Sequence, residues 1–170
     1  ALARQGATLY NAWCAGCHQT DGGGAEGVAP PLSRSEWVAG SPERLVRIVL
    51  HGLVGPIQVR GHDWNLYMPG FGAAGAVSDS QIAAVLTFVR RAWGNRAPPV
   101  DPEFVARERT AIAGRTLPWT ADELAGDPPA ADSATLIKPD IDGQFNLRAR
   151  DAQLVAHQLR YHPNLDLLGP

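Results

Sequence analysis

Cys14-Ala15-Gly16-Cys17-His18 puts two thiols and an imidazole within about one helical turn. Thiols at this spacing reach the two vinyl groups of a porphyrin and form thioethers. The adjacent His is then held on one face of the ring as an iron ligand, the pattern of c-type haem attachment. Other uses of a Cys pair fit the surroundings less well. A zinc site needs about four ligands, and the chain has only these two Cys. A thioredoxin-like pair follows a strand in a βαβ unit, whereas an amphipathic stretch, Leu2 to Trp13, precedes this one. A structural disulfide leaves His18 without a purpose.

The partner ligand is sought next. Met68 is the single Met of the chain and lies in Tyr67-Met68-Pro69-Gly70-Phe71-Gly72. A thioether is a soft ligand that favours ferrous iron, so a His/Met pair raises the reduction potential. A lone Met is otherwise ordinary core filler, but filler usually sits on regular elements, and the Pro and Gly residues here read as a loop. His51, His62, His157 and His162 are the rival ligands, with His62 in a turn near Met68.

Working outward, Leu2–Trp13 reads as a first helix by its apolar spacing. Residues 19–35 read as loop, with Asp21-Gly22-Gly23-Gly24 and Pro30-Pro31. Ser41-Pro42-Glu43 opens a second helix, Ser as cap and Pro at its first position, and Gly52 stops it. Ile57 and Val59 alternate before Gly61-His62-Asp63-Trp64, which predicts a short hairpin. Ser78-Asp79-Ser80-Gln81 is a capping box for a helix whose stripe is Ile82, Val85, Leu86, Val89 and Trp93. Ala97-Pro98-Pro99-Val100 reads as a boundary. Beyond it a helix is predicted from Asp101-Pro102 to about Gly114, a short one at Thr120–Leu124, a linker over 125–143 and an amphipathic stretch over 147–161. No internal repeat and no βαβ pattern is present.

With these residues in view, positions 1–96 resemble the class I c-type cytochromes. Gly6 and Tyr10 match that family's glycine and aromatic on the N-terminal helix, and Val85 and Phe88 its apolar and aromatic pair on the C-terminal helix. The resemblance implies an all-α fold wrapped around one covalent haem c, with a short hairpin before the Met loop and a C-terminal extension. It implies that the Pro30 carbonyl accepts from the ligand His, and that His18 and Met68 bind the metal. It places Tyr67 where the family often tunes sulfur or iron, an ordinary packing role being the other reading. Trp37, Trp64, Arg47 and Arg60 are candidates to donate to the haem propionates. More narrowly, Gly55-Pro56-Ile57-Gln58-Val59-Arg60-Gly61, Trp64, Asn65, Met68-Pro69 and Trp93-Gly94-Asn95 are similar to cytochrome modules that serve periplasmic alcohol, aldehyde or sugar dehydrogenases.

The totals set bounds. The chain has 170 residues, 45% of them apolar and 19% charged, with formal net charge −2, ordinary for a globular protein. Residues 1–96 hold eight Arg against six acids, and residues 97–170 hold seven Lys+Arg against eleven acids. Neither balance supports a nucleic-acid partner. No stretch approaches the ~20 apolar residues of a membrane span. The missing initiator Met reads as the start of a mature exported chain. A haem domain over 1–96 and a partner-binding extension over 97–170 are therefore expected. The expected function is single-electron transfer from a periplasmic dehydrogenase subunit towards a respiratory-chain acceptor, without a catalytic residue. A free periplasmic shuttle is the alternative, and a haem enzyme or gas sensor a more distant one, since iron with both axial positions filled takes a small substrate only by losing Met68.

Overall fold

The computed structural model describes residues 2–72 and 77–125. Helix α1 (Leu2–Trp13) is followed at once by α2 (Ala15–His18). A long loop leads to α3 (Glu36–Ala39) and α4 (Pro42–His51), then to strands β1 (Gly52–Val59) and β2 (His62–Pro69). Helices α5 (Asp79–Val89), α6 (Pro102–Ala111) and α7 (Ala121–Ala125) complete the described chain.

Local signals set the ends of these elements. Ser41 accepts from the Arg44 amide, with Pro42 in the first turn of α4. Ser78 and Gln81 form the reciprocal capping box at the start of α5. Helices α1 and α5 pack against each other, and Gly6 makes the approach possible. A Cβ there would overlap the Ala84 carbonyl and sit 2.8 Å from the Phe88 Cβ. Around this contact Tyr10, Phe88 and Trp93 form an aromatic cluster with ring centroids 4.8–5.5 Å apart. Such pairs add about 0.5–1.5 kcal/mol beyond the area they bury.

The expectation of an all-α fold is corrected by β1 and β2, eight residues each, paired antiparallel from Gly52↔Pro69 to Val59↔His62. Helix α4 cannot run on through Gly52, Gly55 and Pro56, and the β-branched Val54, Ile57 and Val59 suit an extended chain. The turn is Arg60-Gly61, both with positive φ, which matches the strand twist as two-residue hairpin turns require. The hairpin is thus longer than the alternation suggests. It takes in Met68, which lies on β2 opposite Leu53 rather than in a loop.

Residues 97–125 are joined to the same core. Val100, Val105, Ile112 and Trp119 are buried within it, and α6 packs on both α4 and α5. Trp119 lies along β1, its amide donating to the Gly52 carbonyl at 3.0 Å and its carbonyl accepting from Val54 at 2.8 Å. Three ion pairs involve this segment: Arg47–Glu108, Arg109–Asp79 and Arg115–Glu123. The amphipathic stretch at 147–161 and nearly all of the linker lie outside the described residues.

Candidate haem site

The end of α1 delivers the attachment sequence. Cys14 caps α2, and its carbonyl accepts from the Cys17 and His18 amides at 3.1 and 2.9 Å. Cys14 is half-buried and Cys17 exposed. Burial, with Cys17 adding to it, pushes the free Cys14 thiol up to about 11. His18 is 7% exposed.

The loop after His18 is built to bring Pro30 back to it. Gly24, at φ +72°, donates to the His18 carbonyl at 3.0 Å, and a Cβ there would strike the backbone of Ala29 and Pro30. Ala25 pairs with Ala29. Pro30 follows, and its carbonyl lies 2.9 Å from His18 Nδ1. Burial holds the His18 imidazole below its ordinary value, opposed by the Pro30 contact. The neutral tautomer that donates from Nδ1 leaves its lone pair on Nε2, where a metal is bound.

Two clefts flank these groups, and both include His18, Pro30, Leu53, Ile57 and Met68 in their walls. The larger encloses about 800 Å³ of space between atoms, part of it open to solvent. Cys14 lines it together with a wall of apolar side chains from α4 and α5, such as Leu45, Ile48, Val85 and Leu86. The smaller, about 510 Å³ and likewise open, has Cys17, Val28, Trp64 and Tyr67 around it. Beyond Met68 the chain returns to α4, with Phe71 and Gly72 donating to the Val49 and Leu50 carbonyls.

The structure thus brings Cys14, Cys17, His18, Pro30, Tyr67 and Met68 around one apolar region. His51 and His62 line neither cleft, and His157 and His162 lie outside the described residues. Of the candidate propionate donors, Trp37 Nε1 donates to the Gln58 carbonyl at 2.7 Å, Arg47 pairs with Glu108 and Arg60 is exposed. Trp64 differs: its Nε1 is buried in the cleft wall with no hydrogen-bond partner among the described residues. Leaving such a donor unmet costs about 1–3 kcal/mol, and a carboxylate on a bound group would satisfy it. An apolar slot with two thiols, an imidazole, a thioether and an orphaned donor fits a haem.

Sequence reasoning missed the β1 contribution. Leu53, Gly55 and Ile57 line the smaller cleft and Leu53, Ile57 and Val59 the larger. The period-two spacing of these residues was the available signal.

Residues 1–89 match the profile of the family described as "Cytochrome C oxidase, cbb3-type, subunit III". The chain belongs to the cytochrome c family. Haem c and a role in electron transfer follow from that membership. Cytochrome c-552 of Thermus thermophilus is 43% identical over 94 residues, covering 53% of this chain and 69% of that cytochrome. The cytochrome c subunit of alcohol dehydrogenase (quinone) from Gluconacetobacter polyoxogenes is 39% identical over 97 residues, 55% of this chain and 19% of that subunit. The gluconate 2-dehydrogenase cytochrome c subunit of Pantoea cypripedii is 38% identical over 94 residues, 54% of this chain and 21% of that subunit. Among the described residues no helix is long and apolar enough to cross a membrane.

Proposed function

We propose that this cytochrome carries single electrons on one haem, held by thioethers from Cys14 and Cys17 and ligated by His18 and Met68. The placing of His18 and Met68 in the walls of the same apolar clefts carries this reading. When bound, the haem iron supplies the one-electron couple. The protein does the rest. Pro30 fixes the His18 ring and its tautomer, as outer-shell acceptors of ligand histidines do. Met68 offers a soft sulfur that favours the reduced state. The apolar wall from α4 and α5 keeps water away, Trp64 stands ready to donate to a propionate, and Tyr67 borders Met68 where it can tune the ligand.

The donor is proposed to be a periplasmic dehydrogenase subunit and the acceptor a component of a respiratory chain. The support is the naming of similar proteins as cytochrome subunits of alcohol and gluconate dehydrogenases. The segment after residue 125 is proposed to contact the partner, on its acidic, Pro-containing composition. A free shuttle is the second reading, favoured by coverage of 69% of the Thermus cytochrome. Copurification from the periplasm separates them, since a subunit comes with its dehydrogenase and a shuttle alone.

The ligand assignment is tested by Met68→Ala. Loss of the sulfur should lower the reduction potential and open ferrous iron to carbon monoxide. A variant with the parent's potential and no carbon monoxide adduct would remove Met68 from the site, and an altered spectrum in His62→Ala would put His62 in its place.

A further inference from the structure

Arg109 of α6 directs its whole guanidinium at the chain that follows Met68. Nη1 donates to the Gly72 carbonyl at 3.0 Å, Nη2 to the Val77 carbonyl at 2.9 Å and Nε to the Asp79 carboxylate at 2.8 Å. Gly72 lies four residues after Met68, and Asp79 is in the first turn of α5. One side chain therefore joins the end of the Met68 run to the start of the next helix. The same run is tied on its other side, through Phe71 and Gly72 to Val49 and Leu50 of α4. Ten residues after Arg109, Trp119 bonds to Gly52 and Val54, which bracket Leu53, the cross-strand partner of Met68.

We propose that Arg109 is a positioning residue for Met68, its three-way clasp holding the thioether where iron can use it; this rests on the assignment of Met68 as axial ligand. Met68 is the last residue but one of β2, half-buried at the base of the hairpin where the chain leaves the sheet, so its strength as a ligand depends on how firmly the run that follows it is held. Preorganisation of that kind raises affinity without any new contact at the iron. The role suits Arg because a planar fork can serve two carbonyls and a carboxylate together, which a Lys ammonium on its flexible stem cannot.

The test is competition by exogenous imidazole for the ferric holoprotein, read as the loss of the sulfur-to-iron charge-transfer band. Arg109→Gln should bind imidazole about tenfold more tightly, since hydrogen bonds made by a charged group are the stronger ones. Glu108→Gln removes the charge from the buried pair that joins α6 to α4 and lowers overall stability. It breaks no bond to the Met68 run, however, and should leave the imidazole affinity of the folded holoprotein within about twofold of the parent. Equal affinities in Arg109→Gln and the parent would overturn the proposal. So would an equal rise in Glu108→Gln, which would reduce Arg109 to a general packing role. Where Arg109→Gln fails to hold haem, Arg109→Lys decides: it keeps the charge beside Asp79 but loses the fork. A rise in imidazole affinity supports the proposal, and parental affinity overturns it. Met68→Ala separates the two levels. If it leaves the band and the imidazole affinity unchanged, the ligand assignment itself fails. If it abolishes the band while Arg109→Gln behaves as the parent, only the clasp falls.

Discussion

His51 ends α4, half-buried, and burial holds its imidazole below the ordinary 6.5, with the charges of Arg115 and Arg109 acting in the same direction. An unfolded chain takes up a proton near 6.5, whereas the folded one resists it. Stability from this group is therefore complete above about pH 6.5 and is lost as the pH falls below it. Thermal melts of the holoprotein, followed downward from neutral pH, should show a smaller loss of Tm in His51→Gln than in the parent. Parallel losses would show that His51 does not contribute. At this scale the sequence was most legible where chemistry restricts the choice of residue, as in Cys14, Cys17 and His18. It was least legible for side chains whose partners lie far along the chain. Arg47 and Trp37 read equally well as propionate donors until the fold gives them Glu108 and the Gln58 carbonyl.

Among the elements, the crossing of α1 and α5 rests on the missing side chain of Gly6. Gly→Ala in a helix ordinarily gains up to about 1 kcal/mol from propensity. Here the new methyl meets the Ala84 backbone, which cannot swing aside as a flexible side chain would. Overpacking of that kind costs about 1–3 kcal/mol, so Gly6→Ala should lower stability in denaturant unfolding. Gly16→Ala is the contrast, since nothing lies within 4 Å of its added Cβ, and it should be neutral or stabilising. A stable Gly6→Ala protein would mean that the helices are not in close contact. Caps and periodicity marked α1, α4 and α5 well, because those signals are local. The strand character around Met68 was not legible in full. Glycines and Pro69 suggest a loop, and only pairing with β1 makes Tyr67–Pro69 extended.

At the scale of the molecule, two ion pairs of opposite sense span the boundary at residue 96. Arg47 and Asp79 on one side of residue 96 pair with Glu108 and Arg109 on the other. The prolines at 98 and 99 mark a joint in composition, yet Val105, Ile112 and Trp119 beyond them are buried in the haem-side core. Long-range packing of this sort leaves no local trace in a sequence. A chain ending after Ala125 keeps the buried side chains and ion pairs of residues 97–125. One ending after Val100 loses those three side chains and leaves the buried Arg47 unpaired, and breaking a buried pair alone costs about 3–5 kcal/mol. It should melt far lower or fail to hold haem. Equal melting of the two truncations would show that residues 101–125 add nothing to the fold.

The central claim, one haem joined covalently through Cys14 and Cys17, is tested most directly by the intact mass of the purified holoprotein under denaturing conditions. A single species heavier than the polypeptide by one haem is expected, falling to the bare polypeptide mass in the Cys14→Ala, Cys17→Ala double variant. A denatured parent chain at the bare polypeptide mass, or a double variant that still carries the haem mass, would contradict it.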